Sequence, residues 1–107
     1  MSSVTKAASD VSWIVLACEA GMGSSLMVTN FLKKKLKKAK LKIKVSHAPV
    51  HDIPAGTDVV VTHAGLASRV KQVAPEAAVV PFKIFFNDPS LVKLVADLSS
   101  GADVEGI

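Results

Sequence analysis

Residues 13–28 read WIVLACEAGMGSSLMV and contain the clearest change of pattern in the chain. It opens with the apolar run WIVLA, which is typical of a strand covered on both faces of its sheet. Gly21 and Gly23 then permit a tight turn, and Ser24 or Ser25 is suited to cap a helix that begins there. A strand that passes through a short glycine-bearing loop into a helix is the first half of a β-α-β unit. The stretch therefore predicts an α/β domain.

The rest of the chain continues this alternation. Val28, Leu32, Leu36 and Ala39 recur at helical spacing and predict a first helix over residues 24–40. Three further strands are predicted in KIKVSH (42–47), DVVVTH (58–63) and AAVVPF (77–82), and two helices in AGLASRVKQVA (64–74) and DPSLVKLVADLSS (88–100). We predict one four-stranded, mostly parallel sheet in the order 2-1-3-4, with helices on both faces, as in flavodoxin-like or Rossmann-like folds.

Length and composition limit the protein class. The chain has 107 residues, half of them apolar and 21% charged, which suits one globular domain and excludes a disordered one. We predict a flexible lead over residues 1–11, a domain over 12–100 and a flexible tail over 101–107. The lead lacks the apolar segment of a secretory signal, and one cysteine forms no internal disulfide, so we expect a cytoplasmic protein. We expect no cofactor, and the scattered histidines do not predict a metal site.

Cys18 lies where the predicted topology puts a ligand, at the carboxyl end of the first strand and beside the reversal of strand order. The loop glycines and the free N–H groups at the start of the helix form a cradle suited to phosphate. The same field is expected to lower the pKa of the Cys18 thiol, which makes the thiolate a nucleophile for phosphorus. The alternative is a small buried side chain that ends a strand. The candidate phosphate-binding residues are Glu19, Ala20, Gly21, Met22, Gly23, Ser24 and Ser25.

The loop differs from that of cysteine-dependent phosphatases, which have the pattern Cys-x5-Arg-Ser. Ser24 stands at the arginine position, so the guanidinium that would hold the phosphoryl oxygens is missing. Asp88 is the nearest formal candidate for a general acid, but it is better suited to cap the last helix. These differences favour a phosphoryl carrier over a phosphatase, which remains the enzymatic alternative.

The segment IVLACEAGMGSS closely resembles the active-site segment of the IIB domains of the bacterial phosphotransferase sugar-uptake system, the mannitol type above all. The likeness continues through LKKKLKKAKL, IPAGTDVVVTH and RVKQVAPEA, over about residues 12–98. It implies that Cys18 accepts a phosphoryl group from a phosphohistidine on a IIA partner. The group then passes to a sugar or sugar alcohol held by the membrane IIC component. IIB-like sensor domains of transcription regulators carry the same cysteine loop and remain an alternative.

Other polar residues are more ambiguous. Eight of the twelve residues from Lys33 to Lys44 are lysines. They fit a solvated helix face, a patch that steers an acidic partner, or, least well, a nucleic-acid site, since aromatic residues are sparse and the chain has no tyrosine. We therefore predict no nucleic-acid partner. His63 ends the third strand and is interpreted as structural, with a contact to phosphate or partner as the alternative.

Overall fold

The structure is a computed structural model, and it describes residues 5–18, 24–83 and 89–106. Its elements are strand β1 (Thr5–Lys6), strand β2 (Trp13–Cys18), helix α1 (Ser24–Lys38), strand β3 (Lys44–Pro49), strand β4 (Val59–His63), helix α2 (Ala67–Val73), strand β5 (Ala78–Phe82), helix α3 (Pro89–Ser100) and strand β6 (Val104–Glu105). Short 3₁₀ turns cover residues 8–10, 50–52 and 64–66. The predicted alternation of strands and helices is confirmed.

The main sheet has four strands in the order β3-β2-β4-β5, and every neighbouring pair is parallel. Counted in chain order among these four strands, this is the predicted order 2-1-3-4. The predicted α/β class is confirmed, and the main sheet is parallel throughout. The second predicted strand differs in its limits. The sequence predicts it over residues 42–47, whereas β3 begins at Lys44 and ends at Pro49.

Helices cover both faces of the sheet. On one face, α1 and α3 bury Leu32, Leu36 and Leu91 against inward-facing strand residues such as Ile14 and Leu16. On the other face, α2 buries Val70 against Val60 and Val79. The central strands β2 and β4 are buried on both faces, which explains their unbroken apolar sequences. The sheet is therefore supported by helices on both faces up to its carboxyl edge.

Both ends of the described chain join in a second, two-stranded sheet that no pattern in the sequence predicts. Thr5 pairs with Glu105 and Lys6 with Val104 in antiparallel register. Val104 is buried in the main core with 1% of its surface exposed. Parts of the segments expected to be a flexible lead and tail therefore hold a defined position, because β6 anchors the ribbon through an apolar side chain. The proposed domain limits themselves stay a prediction.

Asp58 ties the start of β2 to the start of β4. Its Oδ2 atom accepts hydrogen bonds from the backbone N–H groups of Ser12 and Trp13, at 2.9 and 3.1 Å, and from the Ser12 hydroxyl at 3.1 Å. The ladder then runs from Ile14 opposite Val59 to Ala17 opposite Thr62. A one-residue slip would exchange the two buried faces, so this anchor helps to fix the register that leads to Cys18.

Candidate functional site

The carboxyl edge of the sheet collects the last residues of its four strands. Cys18 ends β2, Pro49 ends β3, His63 ends β4 and Phe82 ends β5. Cys18 lies opposite Pro49, and His63 lies opposite Phe82. Cys18 and His63 each follow directly after the last pair between their strands, Ala17 with Thr62. The predicted nucleophile, Cys18, therefore lies on the same edge of the sheet as His63.

Strand β2 lies at the point where the strand order reverses. The chain leaves β2 through α1 toward β3 on one side, while β4 flanks β2 on the other. In parallel sheets of this kind, ligands bind in the crevice outside the carboxyl ends of the strands at such a point. Cys18 is the last residue of β2, and α1 begins at Ser24 after five intervening residues.

Much of the predicted phosphate loop lies outside the described residues. This holds for Glu19, Ala20, Gly21, Met22 and Gly23, and also for Asp88. The structure gives the backbone of Cys18 as the end of a strand and that of Ser24 and Ser25 as the first turn of α1. The strand end and helix start that the cradle requires are thus present, and the phosphate contacts of the loop stay a prediction.

Thr62 is a residue of this edge that sequence reasoning missed. Its side chain is fully buried, and its hydroxyl donates a hydrogen bond of 3.0 Å to the carbonyl oxygen of Ala17. That carbonyl belongs to the peptide group joining Ala17 to Cys18, so the bond fixes the backbone that leads into the thiol-bearing residue. The available signal was a single hydroxyl residue after three valines in VVVTH, at the end of a buried strand.

His63 is held by its neighbours. Its Nδ1 atom accepts a hydrogen bond of 3.1 Å from the backbone N–H of Gly65. Its ring meets the ring of Phe82 edge to face, with centroids 5.9 Å apart. An accepting Nδ1 places the proton of the neutral ring on Nε2. These contacts support the structural interpretation of His63, because the ring caps the turn that follows β4.

The other two histidines, His47 and His51, are not the last residues of strands in the main sheet. His47 is an exposed residue within β3, and His51 is exposed in the turn after it. Within residues 5–18, 24–83 and 89–106, no group of three or more histidine, cysteine or acidic side chains is arranged to hold a metal ion. Among the helices that the structure describes, none is long and apolar enough to cross a membrane.

Comparison with known proteins shows which family the chain belongs to. Residues 13–95 match the family described as PTS system, Lactose/Cellobiose specific IIB subunit. The mannitol-specific EIICB component of Bacillus subtilis is 39% identical over 88 residues, which cover 82% of this chain and 18% of that protein. The mannitol-specific cryptic EIICB component of Escherichia coli K12 is 40% identical over 92 residues, covering 86% and 20%.

A third relative and one solved structure extend the comparison. The mannitol-specific EIICBA component of Vibrio cholerae is 36% identical over 89 residues, which cover 83% of this chain and 14% of that protein. The chain thus spans one fifth or less of the length of these relatives. The lactose-specific IIB domain of Streptococcus pneumoniae superposes with a TM-score of 0.56 at 15% identity, covering 85% of this chain and 89% of that one. At that identity the likeness supports the fold alone.

Proposed function

Because this chain belongs to the IIB family of the phosphotransferase system, we propose that it is a phosphoryl carrier whose nucleophile is the Cys18 thiolate. One observation carries the proposal: β2 ends at Cys18 at the reversal of strand order, and α1 begins at Ser24. A thiolate there can attack a phosphorus atom in line while helix N–H groups face the phosphoryl oxygens.

The first step transfers a phosphoryl group to this chain. Cys18 Sγ attacks the phosphorus of a phosphohistidine on a IIA partner, the S–P bond forms and the N–P bond breaks. The electron pair of that bond stays on the partner's imidazole nitrogen, which then takes up a proton. The amides of residues 19–25 hold the three phosphoryl oxygens, and Gly21 and Gly23 allow the backbone to approach them closely.

The second step passes the group to a sugar alcohol. A substrate hydroxyl held by the membrane IIC component attacks phosphorus, the O–P bond forms, and the S–P bond breaks to release the thiolate. The hydroxyl proton passes to a base of that component or to water. The names of the relatives, mannitol-specific EIICB and EIICBA components, support a mannitol-type substrate and IIC and IIA partners. They also favour a transport component over the sensor domain of a regulator.

Hydrolysis is disfavoured by the same loop. Ser24, where a cysteine-dependent phosphatase has its arginine, offers no guanidinium to stabilise the charge that develops when water attacks. The phosphorylated domain is therefore stable in buffer and loses its group on addition of IIC and substrate. Rapid turnover of an aryl phosphate by this chain alone would assign it to the phosphatases instead.

Phosphorylation of the purified chain by a reconstituted phosphoenolpyruvate-driven system tests the proposal. Intact-mass spectrometry is expected to show one added phosphoryl group, localised to Cys18 by fragmentation. Cys18→Ser is expected to take up none, and a reaction without IIA serves as the blank. Since Cys18 is the only cysteine, alkylation reports on it alone, and inorganic phosphate is expected to slow it. Full labelling of the Cys18→Ser protein would refute the assignment.

A further inference from the structure

A strongly basic surface is left unexplained by phosphoryl transfer. We define the lysine surface as Lys33, Lys34, Lys35, Lys37, Lys38, Lys40, Lys42 and Lys44, all of which are exposed. No acidic residue occurs between Glu19 and Asp52. These eight lysines are among the thirteen basic residues of the chain. The rest of the chain therefore carries five basic and nine acidic residues. The net positive charge of the protein is therefore concentrated on α1 and the amino end of the edge strand β3.

Stability of the fold does not account for the whole lysine surface. Lys33 with Lys37 and Lys34 with Lys38 are spaced i, i+4 on α1, where like charges repel. Favourable interaction with the helix dipole is confined to the last turn and accounts only for the lysines there. Lys40 adopts a φ of 60°, a backbone conformation that favours glycine. The arrangement thus costs folding free energy at several positions.

Among the described residues, Lys35 and Lys44 each lie over an aromatic ring. The Lys35 ammonium lies 5.6 Å from the ring centroid of Phe31, and that of Lys44 lies 4.7 Å from the Trp13 ring. Beside them, four lysines rim an open groove of about 350 Å³ with an apolar floor; they are Lys33, Lys37, Lys40 and Lys42, over Leu36 and Leu41. Long lysine stems can lie on such a floor while their ammonium groups reach outward.

The lysine surface lies too far from Cys18 to act on the phosphoryl group. Lys33 is nine residues beyond the start of α1, or about 13 Å along the helix axis, and the later lysines lie further away. Screening at physiological salt reduces exposed-charge interactions beyond about 8 Å. Lys44, at the start of β3, is at the opposite end of that strand from the Cys18–Pro49 pair. The lysine surface therefore extends over the half of α1 remote from Ser24 and reaches the end of β3 remote from Cys18.

The residue types favour one kind of occupant. Protein interfaces are enriched in arginine, whose planar fork pairs with carboxylates, and depleted in lysine, yet here every cation is a lysine. Single-stranded nucleic acid needs exposed aromatic rings for stacking, whereas Phe31 and Trp13 lie beneath lysines. A bilayer rich in anionic headgroups offers a diffuse field of charge that point-like ammonium groups match without fixed geometry.

We propose that the lysine surface binds an anionic phospholipid bilayer, with the groove over Leu36 and Leu41 receiving a headgroup. Contact through the flank formed by α1 and β3 turns the carboxyl edge of the sheet sideways, toward a protein in the same membrane. The proposal rests on the proposed function only in that last point, since a membrane-embedded phosphoryl acceptor would lie there. Electrostatic attraction to headgroups does not require Cys18, IIA or IIC.

Vesicle flotation tests the proposal with two variants matched in charge. The patch variant carries Lys33→Gln, Lys34→Gln and Lys37→Gln, and the control variant carries Arg69→Gln, Lys71→Gln and Lys93→Gln, on α2 and α3. The probes are vesicles of phosphatidylcholine alone and of equal parts phosphatidylcholine and phosphatidylglycerol. The unmodified chain is expected to float with the anionic vesicles only, and added salt is expected to release it. Each lysine near the surface contributes about fivefold to vesicle affinity, so the patch variant is expected to bind about a hundredfold more weakly. The control variant is expected to bind within a few-fold of the unmodified chain.

The outcomes separate this proposal from others. Absence of binding to the anionic vesicles, or equal loss in both variants, would overturn it. Tighter binding to duplex DNA or to polyglutamate than to the vesicles at the same salt would also overturn it, and would reassign the surface to nucleic acid or to an acidic protein. Phosphoryl uptake from IIA in solution is expected to be equal in all three proteins. Failure of that uptake would count against the carrier function and leave the lipid result unaffected.

Discussion

Removal of the Thr62 hydroxyl gives the sharpest test of how the fold supports Cys18. Thr62→Val keeps the size and branching of the side chain and deletes only the donor of the 3.0 Å hydrogen bond to the Ala17 carbonyl. The side chain is fully buried, so water cannot replace the lost donor. We expect the substitution to lower the free energy of unfolding and to slow phosphoryl uptake by Cys18.

The magnitudes follow from the burial. Loss of one buried hydrogen bond costs about 0.5–1.5 kcal/mol in folding free energy. For a domain of this size, that lowers the melting temperature by about 4–8 °C for each kcal/mol. Without this bond the peptide group between Ala17 and Cys18 can shift, and Cys18 then lies out of line with the phosphorus atom. A loss of about 1.4 kcal/mol of transition-state stabilisation slows phosphoryl uptake about tenfold.

Two variants separate position from stability. Thr57→Val deletes an equivalent hydroxyl, which donates at 2.7 Å to the Pro54 carbonyl before β4 begins, and it is expected to lower stability with no change in uptake rate. Thr62→Ser retains the donor and loses a buried methyl group, so it is expected to cost about 0.8 kcal/mol in stability and keep the uptake rate. Urea unfolding gives the stabilities, and rapid-quench phosphorylation by IIA gives the rates well below all melting temperatures.

The reasoning fails if Thr62→Val accepts the phosphoryl group as fast as Thr57→Val does. It also fails if Thr62→Ser is as slow as Thr62→Val, since the methyl group rather than the hydroxyl would then be responsible. Either result would show that Thr62 contributes only to packing of the core.

Three further predictions concern the scaffold. Asp58→Ala removes the acceptor of three hydrogen bonds and is expected to lower the free energy of unfolding by about 2 kcal/mol in urea, whereas a change within error would show that the anchor is dispensable. At Gly106, an added Cβ would lie 2.5 Å from the Val79 nitrogen, so Gly106→Val is expected to displace β6 and to speed amide exchange at Val104; unchanged protection there would contradict the packing of this end of the chain. Lys40→Gly relieves a φ of 60° and is expected to raise the free energy of unfolding by about 1 kcal/mol, and a decrease would show that Lys40 contributes a contact that outweighs its backbone cost.

The position of the candidate nucleophile follows from local sequence. Apolar runs in WIVLAC and DVVVTH identify the two central strands, and a helical repeat after Ser24 identifies α1. General rules of handedness and short connection then lead to the observed strand order and put Cys18 at the reversal point. This was predictable because each step depends on residues near one another in the chain. The contacts of Glu19 to Gly23 with phosphate remain a prediction from the same local pattern.

Features that join residues distant in the chain depend on tertiary packing. The Thr62 hydroxyl meets the Ala17 carbonyl 45 positions away, and a register shift of one residue would turn it to the other face. Strands β1 and β6 have two residues each, too few for any periodic pattern, and they exist because Val104 finds a place in the core. The lysine run was visible in the sequence, but its separation from Cys18 depends on where α1 lies on the sheet. Side-chain periodicity determines elements, whereas register and packing determine which of their residues meet.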